Sequence, residues 1–270
     1  MTARLPVPRV SAEAAWRWAL RVGSVVVCLA LWEIASRQRL DLRFVAFKNI
    51  PAPSEVAEAA LQLSRSPKLL KHLSNSIFRV LAGYLAAALV GVGLGLWVGR
   101  SRRAGDALMP PLELLRPIPA VAWIPLAILA FPSSELSMIW ITFIGALFPI
   151  LLATIHGVES LDPRLVASAR SLGAGRRAIL FEVVLPGASP AIVTGLAIGM
   201  GTSWFCLVTA EMISGQFGIG YYTWEAYTLQ NYADIVVGMA IIGVLGMASS
   251  WAVKRLGALA MPWRAPPGPE

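Results

Sequence analysis

The sequence predicts an all-α integral membrane protein of about six transmembrane helices, and three observations carry that reading. The chain is 57% hydrophobic and only 14% charged, which is too apolar for an ordinary soluble domain. The apolar residues are gathered into long charge-free runs. Basic residues collect in alternate connections between those runs, as they do on the cytoplasmic side of membrane proteins.

A bilayer span needs roughly 20 consecutive apolar residues, because lipid offers backbone groups no partner outside the helix. The runs 80–99, 117–134, 136–155, 183–210 and 235–253 meet or approach that length. A shorter run, 22–32, has Arg17, Arg21 and Glu33 at its edges and spans only if those side chains reach the interfaces. A basic leader before a short apolar stretch also describes a cleaved signal peptide. No small-x-small cleavage site follows Glu33, so a retained helix is expected. The expected order is a cytoplasmic tail (1–17), a first span (18–36), an outer segment (37–75), a core domain of five spans (76–256) and a cytoplasmic tail (257–270).

Counting Lys and Arg tests the orientation. With the N-terminus inside, the inner segments carry Arg4, Arg9, Arg17 and Arg21, then Arg100, Arg102, Arg103 and Arg116, then Arg164, Arg170, Arg176 and Arg177, and finally Lys254, Arg255 and Arg264. The outer loops near Ser133 and from 214 to 234 carry none, which favours N-in and C-in. The net charge of +8 therefore speaks for membrane orientation rather than nucleic acid. The first outer segment disagrees, with eight basic residues from Arg37 to Arg79. Part of it reads as an amphipathic helix in the membrane surface plane. Ser54 would be its N-cap, Glu55 and Glu58 would sit in its first turn, and Val56, Ala59, Ala60 and Leu63 would form one face.

Several residues suggest chemistry and carry none. Gly91, Gly93 and Gly95 imitate a nucleotide-binding turn but lie inside an apolar helix. Gly83, Ala87, Gly91, Gly95 and Gly99 recur every four residues, a spacing that lets helices approach closely in lipid. Pro117, Pro119, Pro125 and Pro149 bend or line the third and fourth runs. Cys28 and Cys206 fall in separate apolar segments, and His72 and His156 lack metal-ligand spacing, so no metal site is expected.

The loop 159–186 is the most informative stretch. Asp162-Pro163 is a helix start, Leu165, Val166, Ala169 and Leu172 share a face, and Gly173 is a stop. A second amphipathic helix is expected through Ile179 and Val183 to Leu185-Pro186. The two would form an apolar knob ringed by Arg170, Arg176 and Arg177, suited to a groove on a partner; an ordinary interfacial loop has the same pattern.

The segment LVASARSLGAGRRAILFEVVLPGASP resembles the coupling-loop signature of importer permeases of the ATP-binding cassette class. That signature runs Glu-Ala-Ala, three residues, Gly, nine residues, Ile, one residue, Leu-Pro. Ala169, Gly173, Val183, Leu185 and Pro186 stand at the matching spacing, while Ala167 replaces the usual Glu, Ser168 the first Ala and Val183 the Ile. PAPSEV, SNSIFRVLAGYLAAALVGVGLGLWVG, LLRPIPAVAWIPLAIL and AEMISGQFGIGYYTWEAY are similar to blocks of the nitrate, sulfonate, taurine and bicarbonate subfamily. The resemblance implies a type I importer permease fold with a cytoplasmic coupling helix, in a bacterial inner membrane. It implies Val166, Ala169, Arg170, Leu172, Gly173, Leu185 and Pro186 as the contact to the ATPase, with docking resting on shape because the Glu is missing.

Further implications are an ATPase partner that binds ATP and Mg, a second copy of the permease, and a periplasmic or lipid-anchored binding protein. The chain lacks a G-x-x-x-x-G-K-[ST] loop, so no nucleotide cofactor is expected in it. The imported solute would be a small anion such as nitrate, taurine, a sulfonate or bicarbonate. An organic precursor such as a pyrimidine or aromatic acid, or a passive channel, is the alternative. Trp123, Thr202, Ser203, Trp204 and Glu211 are candidates for the path, since donors are what an anion needs there. Ser and Thr in membrane helices also bond their own backbone, and Glu211 would repel an anion, which suits it better to a structural or gating part.

Overall fold

The computed structural model describes residues 12–41 and 47–263, all of the regular structure helical. Arg4, Arg9, Arg43 and Arg264, used above to count loop charges, lie outside the described residues. The order is α1 (Ala12–Arg37), a 3₁₀ turn (Phe47–Asn49), α2 (Pro53–Ser64), α3 (Pro67–Arg100), α4 (Arg102–Leu115) and a second 3₁₀ turn (Ala120–Trp123). There follow α5 (Ile124–Ala130), α6 (Ser134–Glu159), α7 (Pro163–Ser171), α8 (Arg176–Ala178), a π-helical turn (Ile179–Val184), α9 (Leu185–Ser214), α10 (Ile219–Thr228) and α11 (Tyr232–Leu259).

Five helical segments among the described residues are long and apolar enough to cross a membrane: α1 from Trp16, α3, α6, the continuous stretch from Arg176 to Ser214, and α11. The run 117–134, expected as one span, is not one continuous helix. α4 and the 120–130 segment together reach that length only across a bend of 81°. The physical reason is local. Pro117 and Pro119 lack the N–H that a helix needs, Pro119 adopts ψ 134, and Pro125 opens a new helix at its second position. Apolarity counts residues, whereas proline decides direction.

α3, α6 and α9 form the core. Along one face of α3, an added Cβ at Gly83 would stand 2.7 Å from Thr142 Cβ, at Gly91 3.0 Å from Ile150 Cγ2, at Gly95 2.5 Å from Thr154 Cβ and at Gly99 2.8 Å from Val158 Cβ. Four contacts, two turns apart between Gly83 and Gly91 and one turn apart thereafter, make a seam in which α6 side chains occupy the space a Cβ on α3 would need. Thr142 and Thr154, which face it, turn their hydroxyls back to Met138 O (2.8 Å) and Ile150 O (2.7 Å) in their own helix. On the other side of α6, Gly145 receives Cys206, and Gly199 of α9 receives Ile150. α11 joins through Trp204, whose indole N–H donates to Ser249 Oγ at 2.9 Å.

α2 begins two residues earlier than its sequence reading. The N-cap is Ala52, not Ser54. Glu55 reaches back to accept from Ala52 N at 3.0 Å, which satisfies the helix start from the third position. Ser54 is thereby released to bind α1: its N–H and hydroxyl both donate to Glu33, at 3.1 and 2.8 Å, while Glu33 pairs with Arg37. The apolar residues Val56, Ala60 and Leu63 face α11, so α2 packs on the bundle. α1 leans on α2 and is otherwise almost wholly exposed.

Candidate functional site

Two constructions stand out, one at each end of the bundle. The first is the 159–186 connection. Asp162 accepts from Arg164 N at 2.8 Å, and Pro163 takes the first helical position, so α7 starts where an N–H is not missed. At its end Gly173 adopts φ +83, its N–H donates to Arg170 O (2.9 Å), and Ala174 N donates to Ala169 O (3.0 Å). That pair closes the last carbonyls and needs a residue at ease in the left-handed region.

α7 divides its apolar residues between two sides. Val166 and Ala169 pack with Ala174, Leu180 and Leu185 against buried Val158, Ile179, Val184, Ala188 and Ile192. Leu165 and Leu172 turn outward, 54% and 89% exposed, as does Phe181 at 62%. The face predicted to hold Leu165, Val166, Ala169 and Leu172 together is therefore split. Of the residues read as partner contacts, Arg170, Leu172 and Gly173 are exposed, whereas Val166, Ala169, Leu185 and Pro186 are partly buried and seat the helix. Phe181 was missed; its signal was an aromatic between Arg177 and Glu182.

The second helix of the knob is also corrected. It does not end at Leu185-Pro186 but runs on into α9 through the π-turn. The buried positions explain the turn: Ile179, Val184, Ala188 and Ile192 are spaced five, four and four. Five α-helical steps of about 100° would carry Ile179 well off the face of Val184, and the wider π-turn brings it back. Pro190 cannot donate to Pro186 O, and Ser189 Oγ does so instead at 2.7 Å.

The second construction lies at the opposite end. His72, Ser76 and Arg79 occupy one face of α3, and with Glu211 of α9 they grip four consecutive residues beyond α9. Phe217 O accepts from Arg79 Nη1 (2.5 Å), Gly218 meets His72 Nδ1, Ile219 N donates to Ser76 Oγ (2.9 Å), and Gly220 N donates to Glu211 Oε2 (2.9 Å). Arg79 also pairs with Glu211 at 2.9 Å and, through two nitrogens, with Glu135 at the start of α6. Ser76 Oγ donates to Glu211. Gly218 sits at φ +137, and a Cβ there would run into the Glu211 carboxylate. Buried charges require such pairing. Of this set the sequence singled out only Glu211. Beyond the clamp, Tyr222 of α10 bonds Asp234 of α11, and burial, with Asp234 and Glu225 nearby, holds its phenol above the ordinary range.

The five residues read as path candidates are not brought onto one surface. Trp123 stacks edge-on against Trp140. Thr202 bonds Gly199 O within its own helix (3.0 Å), Trp204 is spent on Ser249, and Glu211 is locked in the clamp. Ser203 is fully buried, its hydroxyl without a partner. The open side of α9 instead presents Thr194, Ile198, Gly201 and Phe205.

The chain is an all-helical bundle with five candidate spans among the described residues and a short capped helix, α7, between two of them. Residues 87–262 match the family described as the binding-protein-dependent transport system inner membrane component, and the chain belongs to that family. Among relatives, it is 32% identical over 248 residues to the nitrate import permease protein NrtB of Synechocystis sp., covering 88% of each chain. It is 31% identical over 260 residues to the taurine transport system permease protein TauC of Escherichia coli, covering 92% of this chain and 93% of that one. It is 38% identical over 173 residues to the bicarbonate transport system permease protein CmpB of Synechococcus elongatus, covering 64% and 62%. The protein is thus a multi-pass permease subunit of an ATP-binding cassette importer, and the family implies an ATPase and a binding protein as partners.

Proposed function

We propose that this chain imports a small oxyanion, with α7 as the element that receives the stroke of a separate ATPase binding ATP and Mg. The observation that carries the coupling role is the split face of α7. Exposed Leu165, Leu172 and Phe181 are costly on a water-facing connection and suit a partner's groove, whereas Val166 and Ala169 tie the helix to the base of α9. A push on α7 passes through Ile179 and Val184 directly into a membrane helix. The lost Glu of the signature, Ala167, is exposed here, in keeping with docking by shape.

The N-terminus and C-terminus lie on the ATPase side in this reading, supported by the basic residues of the 100–116 and 164–177 connections. Two copies enclose the path. The support is the unpartnered side of α9, where Ile198 and Phe205 are 54% and 65% exposed beside Gly201. The anion class rests on the named transport of the nitrate, taurine and bicarbonate relatives.

The test is uptake by proteoliposomes holding the permease, its ATPase and its binding protein, with labelled nitrate, taurine and bicarbonate. ATP-dependent uptake of one of them, abolished together with ATPase association by Leu172→Asp, is the expected result. Association without uptake of any anion moves the solute to an organic precursor. Uptake that needs no ATP overturns the reading in favour of a passive channel.

A further inference from the structure

We propose that the groove between α2 and α11 is a binding site for an anionic phospholipid, with one acyl chain in the groove and the phosphate on Arg65 and Lys68. The groove has a volume of about 350 Å³. Val56, Ala60 and Leu63 of α2 form one wall and Ile241, Val244 and Leu245 of α11 the other, with no polar residue among those that line it. Water has nothing to bond there, so in a membrane the space is filled by hydrocarbon.

Cations flank one end of the groove in sequence. Leu63, near the end of α2, and Leu69, in the first turn of α3, both line it; Arg65 lies two residues after Leu63, in the connection, and Lys68 immediately precedes Leu69 in α3. Both are exposed and neither has an ion pair among the described residues. The acids of α2, Glu55 and Glu58, lie toward its other end, and Glu55 is engaged by Ala52 N. α3 is 34 residues long, about 51 Å at 1.5 Å per residue, against a hydrocarbon core of about 30 Å. The helix is thus long enough for its first turn to reach headgroup level, and the proposed site puts it there, with the stretch from Val237 to Leu245 in the acyl region. Charge above and hydrocarbon below match a phospholipid and not a free anion.

This site also gives a physical account of basic residues in a segment where the charge rule predicts few. Of that set, Arg37 is paired with Glu33 and Arg79 with two carboxylates, and Lys71 lies over the Phe217 ring at 3.6 Å. Of the remainder, Arg65 and Lys68 are the two that flank groove-lining residues in sequence, and they would meet the lipid. Two cations near a membrane surface give roughly a 10- to 30-fold preference for an anionic over a zwitterionic headgroup.

The experiment uses the full transporter, delipidated in detergent, and reads bound lipid and the thermal midpoint on adding phosphatidylglycerol, phosphatidylcholine or inorganic phosphate. Phosphatidylglycerol should bind at least tenfold more tightly than phosphatidylcholine and raise the midpoint, with no effect of phosphate. Arg65→Glu with Lys68→Glu should bring the two lipids to parity, and Ala60→Trp, which fills the groove, should abolish both. Val244→Trp repeats the groove test should Ala60→Trp not fold. Equal binding of the two lipids to the unmodified protein, stabilisation by phosphate alone, or undiminished binding in the filled-groove variants overturns the proposal. So does an Ala60→Cys/Val244→Cys disulfide that forms between copies, which would give the groove to a second chain.

Discussion

Arg79 and Glu211 stand 132 positions apart in the chain and meet at 2.9 Å, at 1% and 0% side-chain exposure. The pair ties α3 to α9 and, through Phe217 and Gly220, to the loop beyond. Removing one member leaves the other charge buried and alone, which costs about 3–5 kcal/mol. Arg79→Ala should therefore lower the folded yield and the thermal midpoint far more than Arg79→Lys, which keeps the charge and gives up the two-nitrogen contact with Glu135. Thermal unfolding in detergent reads the difference, and equal behaviour of the two variants would contradict the clamp.

The α3–α6 seam makes a paired prediction. Gly95→Ala places a methyl 2.5 Å from Thr154, whereas nothing lies within 4 Å of a Cβ on Gly93. Overpacking costs about 1–3 kcal/mol, so Gly95→Ala should be destabilising and Gly93→Ala neutral or slightly stabilising. The two midpoints, measured side by side, check it.

Gly218 has a double constraint, its φ of +137 and the Glu211 carboxylate in the place of a side chain. Gly218→Ala should loosen the 217–220 segment, and limited proteolysis of that loop should speed up. Gly201→Ala, in open space, supplies the control and should leave the cleavage rate unchanged.

Trp204 and Ser249 hold α11 to α9 by one hydrogen bond of 2.9 Å. Trp204→Phe keeps most of the packing and loses that bond, at a cost of about 1 kcal/mol. A double-mutant cycle with Ser249→Ala should show the coupling, and additive effects would show that the bond contributes nothing.

For α7, Gly173→Ala should weaken the helix end by roughly 1 kcal/mol, because its φ of +83 disfavours a side chain. Leu172→Asp adds no strain to an exposed position. It should leave the midpoint of the isolated permease unchanged while ending co-purification of the ATPase, which separates docking from folding.

The parts of this protein that are local in sequence are legible there. Asp162-Pro163 and Gly173 mark the ends of α7 because capping is decided within one turn, and the four-residue glycine repeat marks the face α3 turns to α6. The clamp is not legible in this way. Arg79 reaches Glu135 across 56 positions and Glu211 across 132, and each reads alone as a charge bordering an apolar run. Ser54 misled because a good capping residue was recruited by Glu33 on another helix. The break before α5 was underestimated because hydropathy sums over Pro117 and Pro119 as though they were ordinary members of the run. The split of α7 was hidden for a related reason: Leu165 and Val166 are neighbours about 100° apart, and only the position of Ile179 decides which of them faces in.

The π-turn at Ile179–Val184 has a bearing on how this chain tolerates change in length. The turn absorbs one surplus residue, holding Ile179 on the face of Val184 although five positions separate them. A deletion of one residue from 179–184 would leave them four apart, and a regular α-helix would then keep both on the face of Ala188 and Ile192. α7 would hold its angular place against the bundle, whereas the same deletion inside the regular part of α9 would rotate everything before it by about 100°. The chain can thus lose a residue at the turn and not a few positions further on.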